Sequence, residues 1–407
     1  MRTGHRSSGD ATAPPPGTAP TPRKERVVGV DVARGAALVG MMAAHVFPFF
    51  ADDGTPTVST AVTAARSAAT FVLVAGVGLA FVSGGRTAVR GRPRTAVSAG
   101  IAVRALLIGA IGLVLGWLSE LNGVAGILPF YALLFLLAIP LLGLAPLVLA
   151  GIAAAVIALG PVLLVATAES DLPHLDEDGD PTPVTLVRAP LALLVHLSVT
   201  GEYPAAVYLA YLCAGLAIGR LDLGSRRVAW WLLGAGAALA VAARAVSAAV
   251  LHPLGGLARL SSGDGSAEAV QELLWDPERS TSWWYLAIPA PHSHTPVDVA
   301  HTLGSAMAVL GAALLLSRLP AVARLLRPLA LAGAMALTLY SAHLVVLATG
   351  VLEDHSALLF LLMVVGALGF AGLWWRRFGP GPLERVVTAA SARARHAAAG
   401  RLAGRRG

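Results

Sequence analysis

Three residues in the apolar run from Gly29 to Phe50, "GVDVARGAALVGMMAAHVFPFF", could do chemistry: Asp31, Arg34 and His45. Helical residues advance by about 100° and about 1.5 Å each. The eleven positions from Arg34 to His45 therefore make about three turns plus about 20°, which puts both side chains on one face, about 16 Å apart along the axis. Asp31 falls within about 40° of His45 by the same arithmetic. A charge buried in a membrane costs about 2.5–3.5 kcal/mol on insertion scales, so such residues face a bundle interior or a wet cavity. An Asp31–Arg34 pair at i, i+3 could simply neutralise itself, with His45 bonded to a neighbouring helix. That bland reading leaves unexplained why a titratable group follows on the same face.

Other polar groups sit in apolar surroundings. "LTLYSAHLVV" carries Tyr340, Ser341 and His343, Arg104 lies in the run 97–118, and Tyr131 lies in "ILPFYALLF". Together they outline a path with arginines at one end and histidines at the other. A guanidinium binds phosphate with permanent charge and fixed geometry. An imidazole is suited to proton transfer near neutral pH. The expectation is a thioester donor, an acyl-CoA held by Arg34 and Arg104, whose acyl end reaches His45. His45 would deprotonate an acceptor hydroxyl or amine, with His343 or Tyr340 orienting it and Asp31 completing the stripe.

Composition sets the frame for these residues. Of 407 residues, 56% are hydrophobic and only 13% charged, about half the charged share of a soluble domain. The expected fold is all-α, a polytopic helical membrane protein with about ten transmembrane helices. Apolar runs of spanning length lie near 27–50, 57–83, 97–118, 122–143, 146–168, 203–221, 226–250, 300–317, 329–351 and 356–375. The stretch 184–200, interrupted by Arg188, Pro190 and His196, reads as interfacial or re-entrant.

The formal net charge of +7 does not imply nucleic acid, because the arginines gather in alternate short loops, as topology determinants do. That pattern predicts a multi-pass plasma-membrane protein with both termini cytoplasmic. Residues 1–26 read as a disordered cytoplasmic tail, 27–377 as the bundle, and 378–407 as a basic cytoplasmic C-terminal tail. The loop 251–299 holds Trp275, Trp283, Trp284 and Tyr285, either an interfacial aromatic belt or a platform for stacking sugars. With Cys213 the only cysteine and Lys24 the only lysine, no disulfide framework, thiol metal site or P-loop is expected.

The string from Asp31 through Arg34 to His45 resembles the opening motif of the transmembrane acyltransferase superfamily. In particular it is similar to the heparan-α-glucosaminide N-acetyltransferase-like catalytic domain and the related acyltransferase-3 proteins. The segments 128–136, 200–223, 337–345 and 381–387 look like a bacterial branch with DUF418-type, YeiB-like C-terminal regions. The resemblance implies a membrane acyltransferase, with His45 in the catalytic position and Arg34 matching the family arginine. The implied donor is acetyl-CoA or another acyl-CoA, and the implied acceptor an extracytoplasmic cell-envelope glycan or lipid. In the lysosomal branch an Asn stands where His45 is, and the catalytic His lies in the following loop. That loop here, "ADDGTPT", has no histidine, so the heparan substrate is not carried over.

Two other classes compete. A transporter or exporter of a lipid or small molecule would use the stripe as a substrate or proton path, and would be marked by paired broken helices, of which the sequence gives no sign. Bis-histidine haem ligation by His45 and His343 is the third reading. No metal ligand set is expected, and a homodimer is left open.

Overall fold

The computed structural model describes residues 26–175, 180–261 and 266–404. Of the tail expected over 1–26, only Arg26 falls within them. Among the described residues there are helices and one isolated bridge, Phe50 with Pro56, and no strand. The first helix, α1, is Val28–Val46. It is followed by α2 (Val58–Thr63), α3 (Arg66–Val82), α4 (Arg92–Leu115), α5 (Leu128–Ala138) and α6 (Pro146–Ala166). Next come α7 (Pro190–Val195), α8 (Ala205–Gly219), α9 (Arg226–Leu251) and α10 (Pro296–Leu316). The chain ends in α11 (Arg327–Ala334), α12 (Ala336–Leu347), α13 (Ser356–Phe378) and α14 (Pro382–Gly404).

The structure confirms an all-helical, membrane-type chain but does not confirm ten full spans. Among the described residues six helices are long and apolar enough to cross a membrane, or up to eight if each of two bent pairs counts as one span. The shortfall has physical causes. The polar stripe of α1 dilutes its apolar character. The apolar stretch Leu128–Gly143 reaches only about 24 Å as a helix, against a hydrocarbon core of about 30 Å. The bent pairs are Pro190–Thr200 with Ala205–Gly219, at 60°, and α11 with α12, at 85°. The segment expected as interfacial or re-entrant thus forms the first arm of a broken helix.

Helix α1 sits among α3, α10, α11 and α13, which is why eleven of its residues are buried, Asp31 included. Helix α8, buried along nearly its whole length, packs on α3 and α6, and α9 packs along α10. By contrast α13 shows Leu361, Val365 and Leu373 outward, as a helix facing lipid would. Without a strong hydrophobic force between helices in lipid, close contact comes from small residues. Gly35 of α1 meets the backbone of α11 at Leu329, and Gly333 of α11 meets the backbone of α1 at Asp31 and Gly35. A Cβ at Gly333 would run into the carbonyl oxygen of Asp31 and come within 2.6 Å of the Gly35 nitrogen. Gly333→Ala should therefore push the two helices apart and cost about 1–3 kcal/mol. Thermal unfolding in detergent checks this, and an unchanged midpoint would contradict it.

Residues 378–404, expected within a basic tail, fold as the end of α13 and as α14, which packs on α4 and α12. Glu384 of α14 explains part of the break between α11 and α12. Its carboxylate accepts the backbone N–H of Thr338 at 3.0 Å and the Thr338 hydroxyl at 2.6 Å. A helix begun there leaves its first N–H groups without intrahelical partners, and an acid at that end satisfies them and suits the dipole.

Candidate active site

At one end of α1, Asp31 holds two arginines. Arg26 Nε lies 2.5 Å from Asp31 Oδ2, and Arg34 Nη1 lies 3.1 Å from Asp31 Oδ1. Arg34 Nη1 also donates to the Gly333 carbonyl at 3.3 Å, a contact made available by the close packing of α1 on α11. The Arg26 guanidinium lies over the Trp375 ring, 4.9 Å from its centroid. Two guanidiniums against one carboxylate leave one positive charge in excess.

Two clefts open on this cluster, and both are lined by Arg26 and Arg34. One, of about 540 Å³, has Asp31, Gly84, Gly85, Arg86 and Thr87 in its wall. The other, of about 340 Å³, runs between Arg34, Arg104, Tyr131, Glu384, the start of α12 and Tyr340. The Tyr131 hydroxyl is buried without a hydrogen-bond partner among the described residues. A buried hydroxyl left unpaired is costly, and here it lines a cleft able to receive a polar ligand group.

At the opposite end of α1, His45 Nδ1 and His343 Nε2 are 3.0 Å apart, with the rings stacked at 12°. The Tyr340 ring stands edge-on to His343 with centroids 4.9 Å apart, and its hydroxyl accepts the Ile127 N–H at 3.1 Å. The two histidines are not in the wall of the smaller cleft. They lie behind Tyr340, which is. One ring must donate and the other accept. When His45 Nδ1–H donates to His343, the Nε2 of His45 is left as the basic nitrogen, and it makes no hydrogen bond among the described residues. The two contacting nitrogens, 3.0 Å apart, are closer than the about 4 Å that two ligands each about 2 Å from one metal on opposite sides would need.

A second histidine group adjoins the pair. The Ala65 N–H donates to His292 Nε2 at 3.1 Å, so Nδ1 carries the proton and faces Glu202 Oε1 at 2.9 Å. His294 Nε2 donates to the Glu202 carbonyl at 3.1 Å. Ala65, His292 and His294 all have positive φ, at 57°, 61° and 56°, and residues with side chains hold such angles only under outside constraint. Burial works against a charge on His292, but the Glu202 carboxylate outweighs it and holds His292 above the ordinary histidine value. Burial pushes His294 down to about 3, with Glu202 opposing.

The sign for stability follows from the raised value. The ionic contribution of His292 is fully present below the unfolded histidine value and is lost as pH rises through the raised one, and it is set against the Ala65 N–H bond to Nε2, which only the neutral ring accepts. The Glu202 side chain is 44% exposed, so water screens the pair and its worth is about 1 kcal/mol or less. Thermal midpoints of wild type and Glu202→Gln should differ most in weak acid and converge toward alkaline pH. A difference that is constant across that range would refute the ionic contribution.

The candidates from the sequence thus fall into two groups. Asp31, Arg34 and Arg104 sit at the arginine end, and His45, His343 and Tyr340 meet at the histidine end. Asp31, grouped in the sequence with the reacting residues, is bonded to the arginines about 21 Å along the helix from His45. Sequence reasoning passed over Arg26, Glu202 and Glu384. Glu384 stands in the quoted segment 381–387 but carries no signal of its partner Thr338. Among the described residues, no group of three or more His, Cys, Asp or Glu could hold a metal ion.

The family model described as heparan-alpha-glucosaminide N-acetyltransferase, catalytic, matches residues 26–229, half of the chain. No curated protein and no solved structure matches.

Proposed function

The chain belongs to the heparan-alpha-glucosaminide N-acetyltransferase catalytic family, and from that membership we propose that it moves an acyl group, acetyl in the favoured form, from cytoplasmic acyl-CoA to a hydroxyl or amine of an extracytoplasmic cell-envelope glycan or lipid. The observation carrying this reading is the cleft from Arg34 and Arg104 to Tyr340, with the His45–His343 pair directly behind it. The larger, glycine-lined cleft suits the nucleotide phosphates of the donor. The smaller, apolar-walled one suits its thin thioester arm. Arg26 and Arg34, which line both clefts, supply positive potential at the shared mouth, and Arg104 adds to it along the smaller one.

In the transfer step, His45 Nε2 takes the proton of the acceptor as its oxygen or nitrogen bonds to the thioester carbonyl carbon. The C–S bond then breaks, and the leaving thiolate recovers that proton from the imidazolium. His343 fixes the tautomer of His45 by accepting from Nδ1. Asp31 is a positioning residue, holding Arg26 and Arg34 apart. Purified protein given labelled acetyl-CoA and cell-envelope extract should yield an acylated lipid or glycan.

A second reading has a specific observation in its favour. The sequence gives no sign of paired broken helices, yet the structure has two bent pairs, the feature that would mark a transporter. A transporter predicts flux in vesicles without acyl-CoA and no acylated product, so one labelled-donor experiment separates the two.

Orientation in a plasma membrane rests on the arginine pattern. Reporter fusions after Arg94 and after Arg227 should give cytoplasmic signals, and a fusion at Asp276 an extracytoplasmic one. A cytoplasmic signal at Asp276 would reverse the assignment of donor and acceptor sides.

A further inference from the structure

The smaller cleft holds a polar group that the transfer step does not use. Tyr131 is the fourth residue of α5, and its neighbours fix where it stands. A Cβ at Gly112 would lie 2.7 Å from Leu128 Cβ and 2.6 Å from Pro129 Cδ, so α4 lies hard against the first turn of α5. The Ile127 N–H donates to the Tyr340 hydroxyl at 3.1 Å, which ties the start of α5 to α12. The Tyr131 ring stands edge-on to Phe71 and to Phe135, with centroids 5.9 Å and 5.8 Å apart. Its hydroxyl has no hydrogen-bond partner among the described residues. Phe71, Ala75, Leu79, Ile108 and Phe135 line the same cleft, so the wall around this hydroxyl is apolar.

Contacts along α3 give its depth. A Cβ at Gly40 of α1, between Arg34 and His45, would run into Ser67 Oγ, and one at Gly78 would lie 3.8 Å from Arg34 Nη2. Phe71 precedes Gly78 by seven residues, which puts it about 10 Å along α3 from the arginine level, toward the histidine end. Tyr131 packs on Phe71 and therefore stands between the two ends. Arg34 and Tyr340 both act electrostatically on its hydroxyl, as that position requires.

A donor with its phosphates at the arginines and its thioester at His45, about 16 Å along α1, must carry its arm past this level. The arm of coenzyme A has two amide groups between the pyrophosphate and the sulfur. An amide taken from water into an apolar wall without a partner costs about 1–3 kcal/mol, and an unpaired buried hydroxyl is costly in the same way. A hydrogen bond between the two removes both penalties.

We propose that the Tyr131 hydroxyl donates to an amide carbonyl of the donor's pantetheine arm, and that Tyr131 thereby selects coenzyme A thioesters over donors without that arm. This rests on the acyl-transfer reading above. The amide takes no part in the reaction, so the bond is equally strong before and during transfer and acts on binding alone.

The test is calorimetric titration of the full-length protein in detergent with coenzyme A and with 3′-phospho-ADP, which keeps the phosphates and lacks the arm. Tyr131→Phe removes one oxygen and keeps the ring against Phe71 and Phe135. It should weaken coenzyme A binding about threefold to tenfold, the contribution of one neutral hydrogen bond, and leave 3′-phospho-ADP binding unchanged. Its thermal midpoint without ligand should be no lower than that of wild type, because the hydroxyl gives up no partner in the protein. In transfer from labelled acetyl-CoA, KM should rise by the same factor with kcat unchanged.

Unchanged coenzyme A affinity in Tyr131→Phe would overturn the proposal, as would equal weakening of coenzyme A and 3′-phospho-ADP. A loss seen with acetyl-CoA but not with coenzyme A would place the hydroxyl on the thioester carbonyl and overturn the amide assignment. A lowered midpoint would make the hydroxyl structural, with the same consequence. These outcomes count against Tyr131 alone. Wild type that binds neither coenzyme A nor 3′-phospho-ADP would count against the donor reading itself.

Discussion

His45→Ala should abolish acyl transfer, by about 10²–10⁴-fold, the usual contribution of a positioned general base. Donor affinity should stay close to wild type, because Arg34 lies about 16 Å away along α1 and the cleft it lines does not include His45. His343→Ala should cost less. It removes the acceptor that holds His45 Nδ1–H at 3.0 Å, leaving the basic nitrogen in place but free to turn or to change tautomer. His343→Gln, whose side-chain oxygen can accept the same proton, should recover part of the loss, which a merely space-filling role for His343 would not allow. Labelled acyl-CoA with membranes carrying each variant gives the ranking. Equal product from wild type and His45→Ala would remove His45 from the mechanism.

The effect expected at the other end of the helix is on binding. Arg34 belongs to both clefts and is held by Asp31 and the Gly333 carbonyl, so it is already oriented before a donor arrives. Charge-assisted hydrogen bonds contribute about 1.5–3 kcal/mol each, and Arg34→Ala should weaken coenzyme A binding about tenfold to more than a hundredfold. Arg34→Lys keeps the charge but cannot reach Asp31, Gly333 and a phosphate together, so it should restore only part of the affinity. Asp31→Asn should weaken binding as well, although it removes a negative charge from the mouth, because it releases both guanidiniums from their positions. Calorimetric titration with coenzyme A measures all three. Unchanged affinity in Arg34→Ala would sink the donor-site assignment, and tighter binding in Asp31→Asn would make Asp31 a mere repellent of phosphate.

Much of this arrangement is legible in residue types and helical arithmetic. The shared face of Asp31, Arg34 and His45 follows from 100° per residue, and the match of His343 in depth follows from counting along its apolar run. What the sequence could not convey depends on partners far apart in the chain. The break at Met335 has its acid in Glu384, 46 residues beyond Thr338. Arg66 meets His301 across 235 residues, and Ala65 meets His292 across 227. The count of ten spans is not confirmed for a related reason. A run of apolar residues reports that a segment is buried, and α5 and the broken helices show that burial among other helices does not require a full crossing.

The latch of Glu384 on Thr338 bears on the order in which the protein is made. The matched half of the chain ends at residue 229, but the smaller cleft takes part of its wall from Gly333, Tyr340, Trp375, Glu384 and Thr388. Every helix up to α13 can be synthesised and inserted while that wall is still missing its last side. Only when the residues after Pro382 leave the ribosome is this wall complete, so a nascent chain presents the arginines of α1 before the cleft is closed on that side. A chain truncated ahead of α14 should therefore lack the part of this wall that Glu384, Val387 and Thr388 provide.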